Sequence, residues 1–352
     1  MSKTTRKSLL KSKKKKKSKA PRSLARRIAI IVSCAVMATF AALCSFGVAY
    51  VRHSPEWLAE HRSPLTMPLE YLGDRTAFIT DGLGWTGHDC VYEFDEPAPG
   101  GQVLFAGAPV RIGAPAPSDL VTLDRGDFLI GWSPSLRRPV WAAYHVPRDA
   151  RFENSKRPAF QKDRSVATSP IPGDYRNTPY DRGHMVPNRA IVTRFGPDVQ
   201  KKTFLMTNIA PQRPALNRGP WREMEQRISD LWTQKYGEMW VIVGALSSPS
   251  STSRESLPGT SVNVPEKYYM IVAGQGSDGV RALAVLLDQG AGRWDFPVHN
   301  IVTISELEKL SGLEFFPDMP KFLKTPLKLD RPTRLWPVRL QDIFKLIMIR
   351  FV

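Results

Sequence analysis

Between Arg27 and Arg52 the chain runs for 24 residues, Ile28 to Val51, without one charged side chain. A helix of that length, rising about 1.5 Å per residue, crosses a hydrocarbon core of about 30 Å with some tilt. Lipid offers the backbone no hydrogen-bond partners, so helix is the conformation such a run must take there. The run is long for the apolar part of a cleavable signal, and no small-x-small site follows it. We therefore read residues 28–51 as an uncleaved transmembrane signal-anchor. Thirteen Lys or Arg and no acid precede it in residues 1–27. Positive charge on that flank keeps residues 1–27 as a basic cytoplasmic tail and sends residue 52 onward across the membrane. The lysine run can also touch anionic lipid. It lacks the spaced-arginine amphipathic pattern of a transit peptide, which favours a bacterial inner membrane with the body facing the periplasm.

The formal net charge of +17 invites a nucleic-acid interpretation, but its location weakens it. The thirteen bases of the first tail, with a net +6 in residues 321–352, leave −2 for everything between them. Any affinity for phosphate must then come from a local patch of the body. Of three cysteines, Cys34 and Cys44 sit in the apolar run and Cys90 is alone beyond it. No intrachain disulfide can staple the exported part, and a cysteine-based zinc site is excluded. At 42% hydrophobic residues, the chain can bury a core instead.

Five segments emerge: the tail 1–27, the anchor 28–51, a lead-in at 52–102, a main domain at 103–320 and a basic C-terminal tail at 321–352. Strands are expected at Val103 to Phe105, Phe128 to Trp132, Val140 to Val146, Thr203 to Ile209, Met239 to Leu246, Tyr268 to Ala273 and Arg281 to Leu287. Residues 220–236 have helical spacing, with Pro220 in the first turn. Thr303 to Glu306 fits a capping box ahead of a helix that stops at Gly312. Trp85 to Asp89 reads as a packed loop, and Asp124-Arg125-Gly126-Asp127 as a turn. Ile343 to Val352 could lie on a membrane surface, pack on the body or fray. Strands dominate, so the class is α+β, with a central antiparallel sheet flanked by helices and an added transmembrane helix.

Chemistry concentrates in Tyr180-Asp181-Arg182-Gly183-His184. Cutting a phosphodiester needs a base to take a proton from water, and positive charge where the phosphorane becomes more anionic. His184 supplies an imidazole that is neutral at physiological pH, and Arg182 a forked cation. Gly183, without a Cβ, allows a close approach. Asp181 reads first as a structural acceptor that anchors the turn or pairs with an arginine. A hard cation such as Mg²⁺ accepts one protein oxygen and several waters, and Asn217 offers a carbonyl. Glu225, eight residues later and about 80° around a helix axis, can hold metal-bound waters if Asn217 caps that helix.

These blocks resemble the DNA/RNA non-specific endonuclease family, which includes endonuclease G and secreted bacterial nucleases. The resemblance covers roughly residues 103–320. It rests on Trp141 to His145, Asp181 to His184, Asn208-Ile209-Ala210-Pro211-Gln212, the Asn217/Trp221/Glu225 helix start, and Glu306 to Pro317. It implies a ββα-metal fold in which His184 activates water, Asn217 binds a single Mg²⁺ (with Mn²⁺ as a substitute) and Glu225 supports the metal's waters. Asn208 falls in the active-site surroundings, and Arg157, in the context Arg157 to Asp163, assists the phosphate. Met270 stands where relatives often carry Lys.

The expectation is a membrane-anchored endonuclease that hydrolyses DNA and/or RNA, with a homodimer left open. Two alternatives remain. One is a phosphodiesterase on nucleotides or other diesters. The other is a catalytically silent domain that binds nucleic acid or a partner.

Overall fold

The computed structural model describes residues 82–85, 87–93, 103–247, 255–276 and 278–351. The expected anchor at 28–51, the tail before it and most of the lead-in lie outside these residues. Among the described residues no helix is long and apolar enough to cross a membrane.

Twelve strands are described: β1 (Val91–Tyr92), β2 (Val110–Arg111), β3 (Val121–Asp124), β4 (Phe128–Ser133), β5 (Arg138–Val146), β6 (Asp181–His184), β7 (Ile209–Gln212), β8 (Met239–Leu246), β9 (Lys267–Gly276), β10 (Gly279–Asp288), β11 (Ile301–Val302) and β12 (Leu313–Glu314). The helices are α1 (Asn188–Phe195), α2 (Pro197–Thr203), a long irregular α3 over 214–236, α4 (Ile304–Ser311), α5 (Lys321–Leu329) and α6 (Ile343–Phe351). The main sheet is antiparallel in every described pairing and runs β1-β10-β9-β8-β5-β4-β3, with β11 on β10.

Central strands β5, β8 and β9 are buried along almost their whole length, which fits a sheet covered on both faces. Alternate residues serve opposite layers. Tyr144, Val241, Val243, Tyr268 and Met270 pack with Trp221, Met224, Leu231 and Trp232 of α3. Trp141, Ala143, Ile242, Tyr269 and Ile271 pack on the other side with Leu307, Phe315, Leu323 and Leu327. The antiparallel sheet with flanking helices matches the α+β expectation.

Four local expectations need correction. Val103 to Phe105 forms no described strand. Thr203 to Ile209 is not one strand: α2 ends at Thr203, a 3-10 turn occupies Met206–Asn208, and β7 begins at Ile209. The Asn208 amide bends this segment by bonding back to Thr203, taking the place that sheet partners would have had. The helix at 220–236 begins earlier, at Pro214, which suits a first turn because it lacks an N–H. Asn217 therefore lies inside helical backbone (φ −60°, ψ −42°) and is not a cap. The expected turn at Asp124–Asp127 joins β3 to β4, and Asp124 Oδ1 accepts the Gly126 N–H at 2.7 Å. The expected capping box at Thr303 and Glu306 is present, as is the left-handed Gly312 that ends α4.

Residues 321–351 fold onto the body. Trp336 is fully buried, and Trp232 donates its indole N–H to the Trp336 carbonyl at 2.8 Å. His88 and Asp89 meet the same segment, where Arg334 pairs with Asp89 at 2.6 Å.

Candidate active site

Strands β6 and β7 form a small antiparallel hairpin of their own, with α1 and α2 inserted between them and α3 following directly. The pairing sets His184 opposite Ile209 and Asp181 opposite Gln212. A Cβ on Gly183 would strike the Gln212 side chain at 2.1 Å, so the close approach that the missing side chain allows is that of Gln212. Asn208 locks the far end of the hairpin. Its Oδ1 accepts the Val186 N–H at 2.9 Å, and its Nδ2 donates to the carbonyls of Val186 at 3.0 Å and Thr203 at 2.9 Å.

Hairpin and helix enclose a groove of about 800 Å³. Arg157, Arg182, His184, Asn217 and Glu225 all line it, so five of the six residues singled out in the sequence converge. Asn208 does not. It is fully buried with its amide spent on backbone, and it holds the motif strand in place without facing the groove.

His184 is buried at the groove wall between two aromatic rings, Phe160 at 5.4 Å and Phe204 at 4.9 Å. Burial, reinforced by the Arg157 guanidinium, lowers its pKa to about 3. Its Nε2 is buried without a hydrogen-bond partner. Arg182 Nε and Arg222 Nε share that condition. Buried donors and acceptors are normally paired, so these three side chains keep hydrogen-bonding capacity that the protein itself does not use. Arg157 lies over the Phe204 ring at 5.8 Å and Arg182 over the Phe160 ring at 5.1 Å, stacking that holds the cations in place. No described carboxylate is ion-paired with Arg157, Arg182 or Arg222.

Asn217 has its orientation fixed by Asp181. Its Nδ2 donates to Asp181 Oδ2 at 2.9 Å, while Arg218 donates to the same carboxylate through Nε at 2.8 Å and Nη2 at 2.6 Å. An ionised carboxylate only accepts, so the amide nitrogen must face it and Oδ1 points the other way. The kink beneath this group has a backbone cause. Gly219 leaves helical geometry (φ −110°, ψ −115°), and a Cβ there would meet the Arg293 backbone at 2.6 Å. Glu225 keeps some accessible surface toward the groove, yet protein atoms crowd its carboxyl. That burial raises its pKa to about 8, against the pull of Trp221, Arg157 and Arg222.

Reasoning from sequence alone missed several participants. Arg222 lines the groove, and Arg218 is the arginine that pairs with Asp181; both lie within the Asn217–Glu225 stretch, but neither was given a role there. Arg125, first read as a turn residue, forms an ion pair with the buried Asp163. The helical spacing of Arg222 to Glu225 was the one available signal for its position.

A metal ion fits the donor set present. The Asn217 carbonyl is turned away from its only carboxylate partner, and a crowded acid lies on the same groove. No group of three or more His, Cys, Asp or Glu among the described residues forms a closed metal cage. A cation bound through one protein oxygen and waters needs no such cage.

The model of the DNA/RNA non-specific endonuclease family matches residues 107–322. Nuclease EXOG, mitochondrial, of Xenopus laevis is 30% identical over 218 residues, covering 57% of this chain and 60% of that protein. Endonuclease G, mitochondrial, of Bos taurus is 26% identical over 242 residues, covering 61% of this chain and 79% of that one. A nuclease of Nostoc sp. is 26% identical over 217 residues, covering 58% of this chain and 76% of its own. This chain therefore spans only 60% of the frog protein and 56% of the mouse EXOG protein. Among solved structures, a chain of the EndoG/EndoGI complex superposes with a TM-score of 0.52 at 22% identity, over 57% of this chain and 87% of that one. That likeness concerns the fold.

Proposed function

The chain belongs to the DNA/RNA non-specific endonuclease family, and from that premise we propose that it is a membrane-anchored, Mg²⁺-dependent endonuclease acting on DNA, RNA or both. One observation carries the reading: His184, Arg157, Arg182 and Arg222 line a single groove that also holds Asn217 and Glu225. A phosphodiester supplies acceptors for the guanidinium donors, and a water beside it supplies a proton that the neutral His184 imidazole can take.

His184 is neutral in the groove and so stands ready to accept. Its low proton affinity comes from burial and from the Arg157 charge. A phosphate anion drawn against Arg157 offsets that charge, so substrate binding raises the basicity of the imidazole when the proton must be taken. Arg157, Arg182 and Arg222 hold the phosphate oxygens while the aromatic walls keep bulk water from the imidazole. Asp181 keeps Asn217 Oδ1 turned outward, and Glu225 lines the same groove, where a cation bound at Asn217 would favour its ionised form and so its role as acceptor for metal-bound water. Mg²⁺ bound at Asn217 would supply Lewis-acid stabilisation of the developing negative charge. The cations of the groove address phosphate, which carries no sequence information, so little sequence preference is expected.

The uncharged run 28–51 and the thirteen basic residues before it support an anchored protein with its catalytic body outside the cytoplasm, facing a bacterial periplasm. Incubating the full chain with supercoiled plasmid and with RNA, in Mg²⁺ and in chelator, tests the activity. Cleavage by wild type that is lost in His184→Ala is the expected result. Wild type as inert as that variant on both substrates would refute the proposal.

A further inference from the structure

The segment that follows β10 is built against the active-site helix. Gln289, buried just past the end of β10, donates through Nε2 to the carbonyls of Pro211 at 2.8 Å and Pro265 at 3.1 Å. Its Oε1 accepts the Arg213 N–H at 2.9 Å. Those bonds staple the segment to β7 and to the residue that opens α3. Farther on, Arg293 passes Gly219 so closely that a Cβ there would lie 2.6 Å from the Arg293 carbonyl oxygen. There the chain reverses through Gly292-Arg293-Trp294-Asp295. The Gly292 N–H donates to Asp295 Oδ2 at 2.7 Å, and the Asp295 N–H donates to the Gly292 carbonyl at 3.2 Å. That second bond makes Arg293 and Trp294 the two corner residues of a β-turn.

Both corner residues are exposed, Trp294 at 52%, and the Arg293 guanidinium lies 5.8 Å from the indole ring centroid. Among the described residues no carboxylate is ion-paired with Arg293. Its charge is felt instead by a cation of the groove: burial first, and Arg293 next, lower the proton affinity of Arg222. Two neighbouring guanidinium groups, with no carboxylate ion-paired to either, leave a positive field that an anion would settle. A lone exposed indole is ordinary on a protein surface. Beside such a cation, and on a turn packed against the helix of Asn217 and Arg222, it completes the pairing that single strands require. A cation follows the phosphate backbone, and a flat ring takes a base.

We propose that Arg293 and Trp294 form an outer subsite of the groove, holding a nucleotide that flanks the scissile phosphate with its backbone against Arg293 and its base stacked on Trp294. The occupant is an unpaired strand, because a base inside a duplex already has both faces stacked on its neighbours and its edge paired. The subsite therefore favours single-stranded DNA or RNA over intact duplex. It reads no sequence, since every base offers a ring face. The inference rests on the nuclease reading above for the place of the scissile phosphate, whereas the stacking contact itself needs no catalysis.

The test uses the full chain in the His184→Ala background, to hold substrate without cutting it, and a single-stranded oligonucleotide with 2-aminopurine at successive positions. Moving a base from its neighbours onto an indole changes the emission of 2-aminopurine. A change at one position is expected, lost in Trp294→Ala and kept in Trp294→Phe. Trp294→Ala should weaken binding about tenfold with an unchanged salt slope. Arg293→Gln should weaken it and lower the slope of log K against log salt by about 0.7. With His184 restored, Trp294→Ala should raise KM on the oligonucleotide about tenfold, keep kcat within about twofold and leave cleavage of intact duplex unchanged. Binding and cleavage that Trp294→Ala leaves at wild-type values overturn the inference while the nuclease reading stands. Equal losses on oligonucleotide and duplex overturn it as well, since the turn would then only support the fold around Gly219. Failure of the His184→Ala chain to bind the oligonucleotide overturns it whatever the activity. The expected binding pattern in a protein that cleaves neither substrate removes the nuclease reading and leaves the stacking site in place.

Discussion

Asp181 and His184 sit three residues apart on one strand and do opposite things with their surroundings. Asp181 spends its carboxylate on Asn217 and Arg218 in a partly exposed pair. Exposed ion pairs contribute about 0–1 kcal/mol, so Asp181→Asn should leave stability nearly untouched. The substituted amide can present either end to Asn217, which frees the Asn217 carbonyl from its fixed direction. Cleavage at limiting Mg²⁺ should then fall about 10–100-fold, in the range seen for partners that orient metal ligands. A variant whose activity and stability fall together would mean that Asp181 only supports the fold. His184 yields a pH prediction. Burial and Arg157 hold its pKa at about 3, below the ordinary 6.5. The unfolded chain takes up that proton first as pH falls, so the stability linked to this group is complete above about pH 6.5 and is lost toward pH 3. The melting temperature of wild type should fall more steeply over that window than that of His184→Gln. Parallel curves would contradict a buried neutral imidazole.

Among the elements, α3 decides the geometry of the groove. Gly219 breaks it where the Arg293 backbone passes, two residues after Asn217 and six before Glu225. Gly219→Ala must move one of those backbones by several tenths of an ångström. The displacement is expected to lower cleavage at least tenfold, with circular dichroism unchanged apart from a small loss of thermal stability. Full activity in this variant would show that the kink does not position Asn217. Sequence reading found the strands with long apolar runs, because both faces of the sheet are covered and burial is continuous. It also found the capping box at Thr303, because that device is local. It missed the break after Thr203, since the Asn208 amide that bends the chain makes two of its three hydrogen bonds to Val186, 22 residues away. Five groove residues were legible from their motifs. Arg222 and the Asp181–Asn217 contact were not, since they exist only once α3 lies against the hairpin.

For the whole molecule, the body's near-zero charge and the positive groove are reconciled by folding. Arg157, Arg182 and Arg222 are brought together from separate segments while most other described cations are paired or lie elsewhere. The fold also extends beyond the family's own boundary. The matched region ends at residue 322, yet Trp336 and Leu346 are fully buried in the core beneath α3. Trp336→Ala should cost about 3–5 kcal/mol in denaturant unfolding, with the folded fraction still cleaving at the wild-type rate. A loss under about 1 kcal/mol would mean that this segment merely rests on the surface. The central claim is that His184 and Asn217 serve one reaction in different roles, and a Mg²⁺ titration of plasmid cleavage by wild type, His184→Ala and Asn217→Ala tests it directly. We expect His184→Ala to lose at least about a hundredfold in rate at every Mg²⁺ concentration, with an unchanged midpoint, and Asn217→Ala to require far more Mg²⁺. Titrations of both variants that superimpose on wild type would contradict the account.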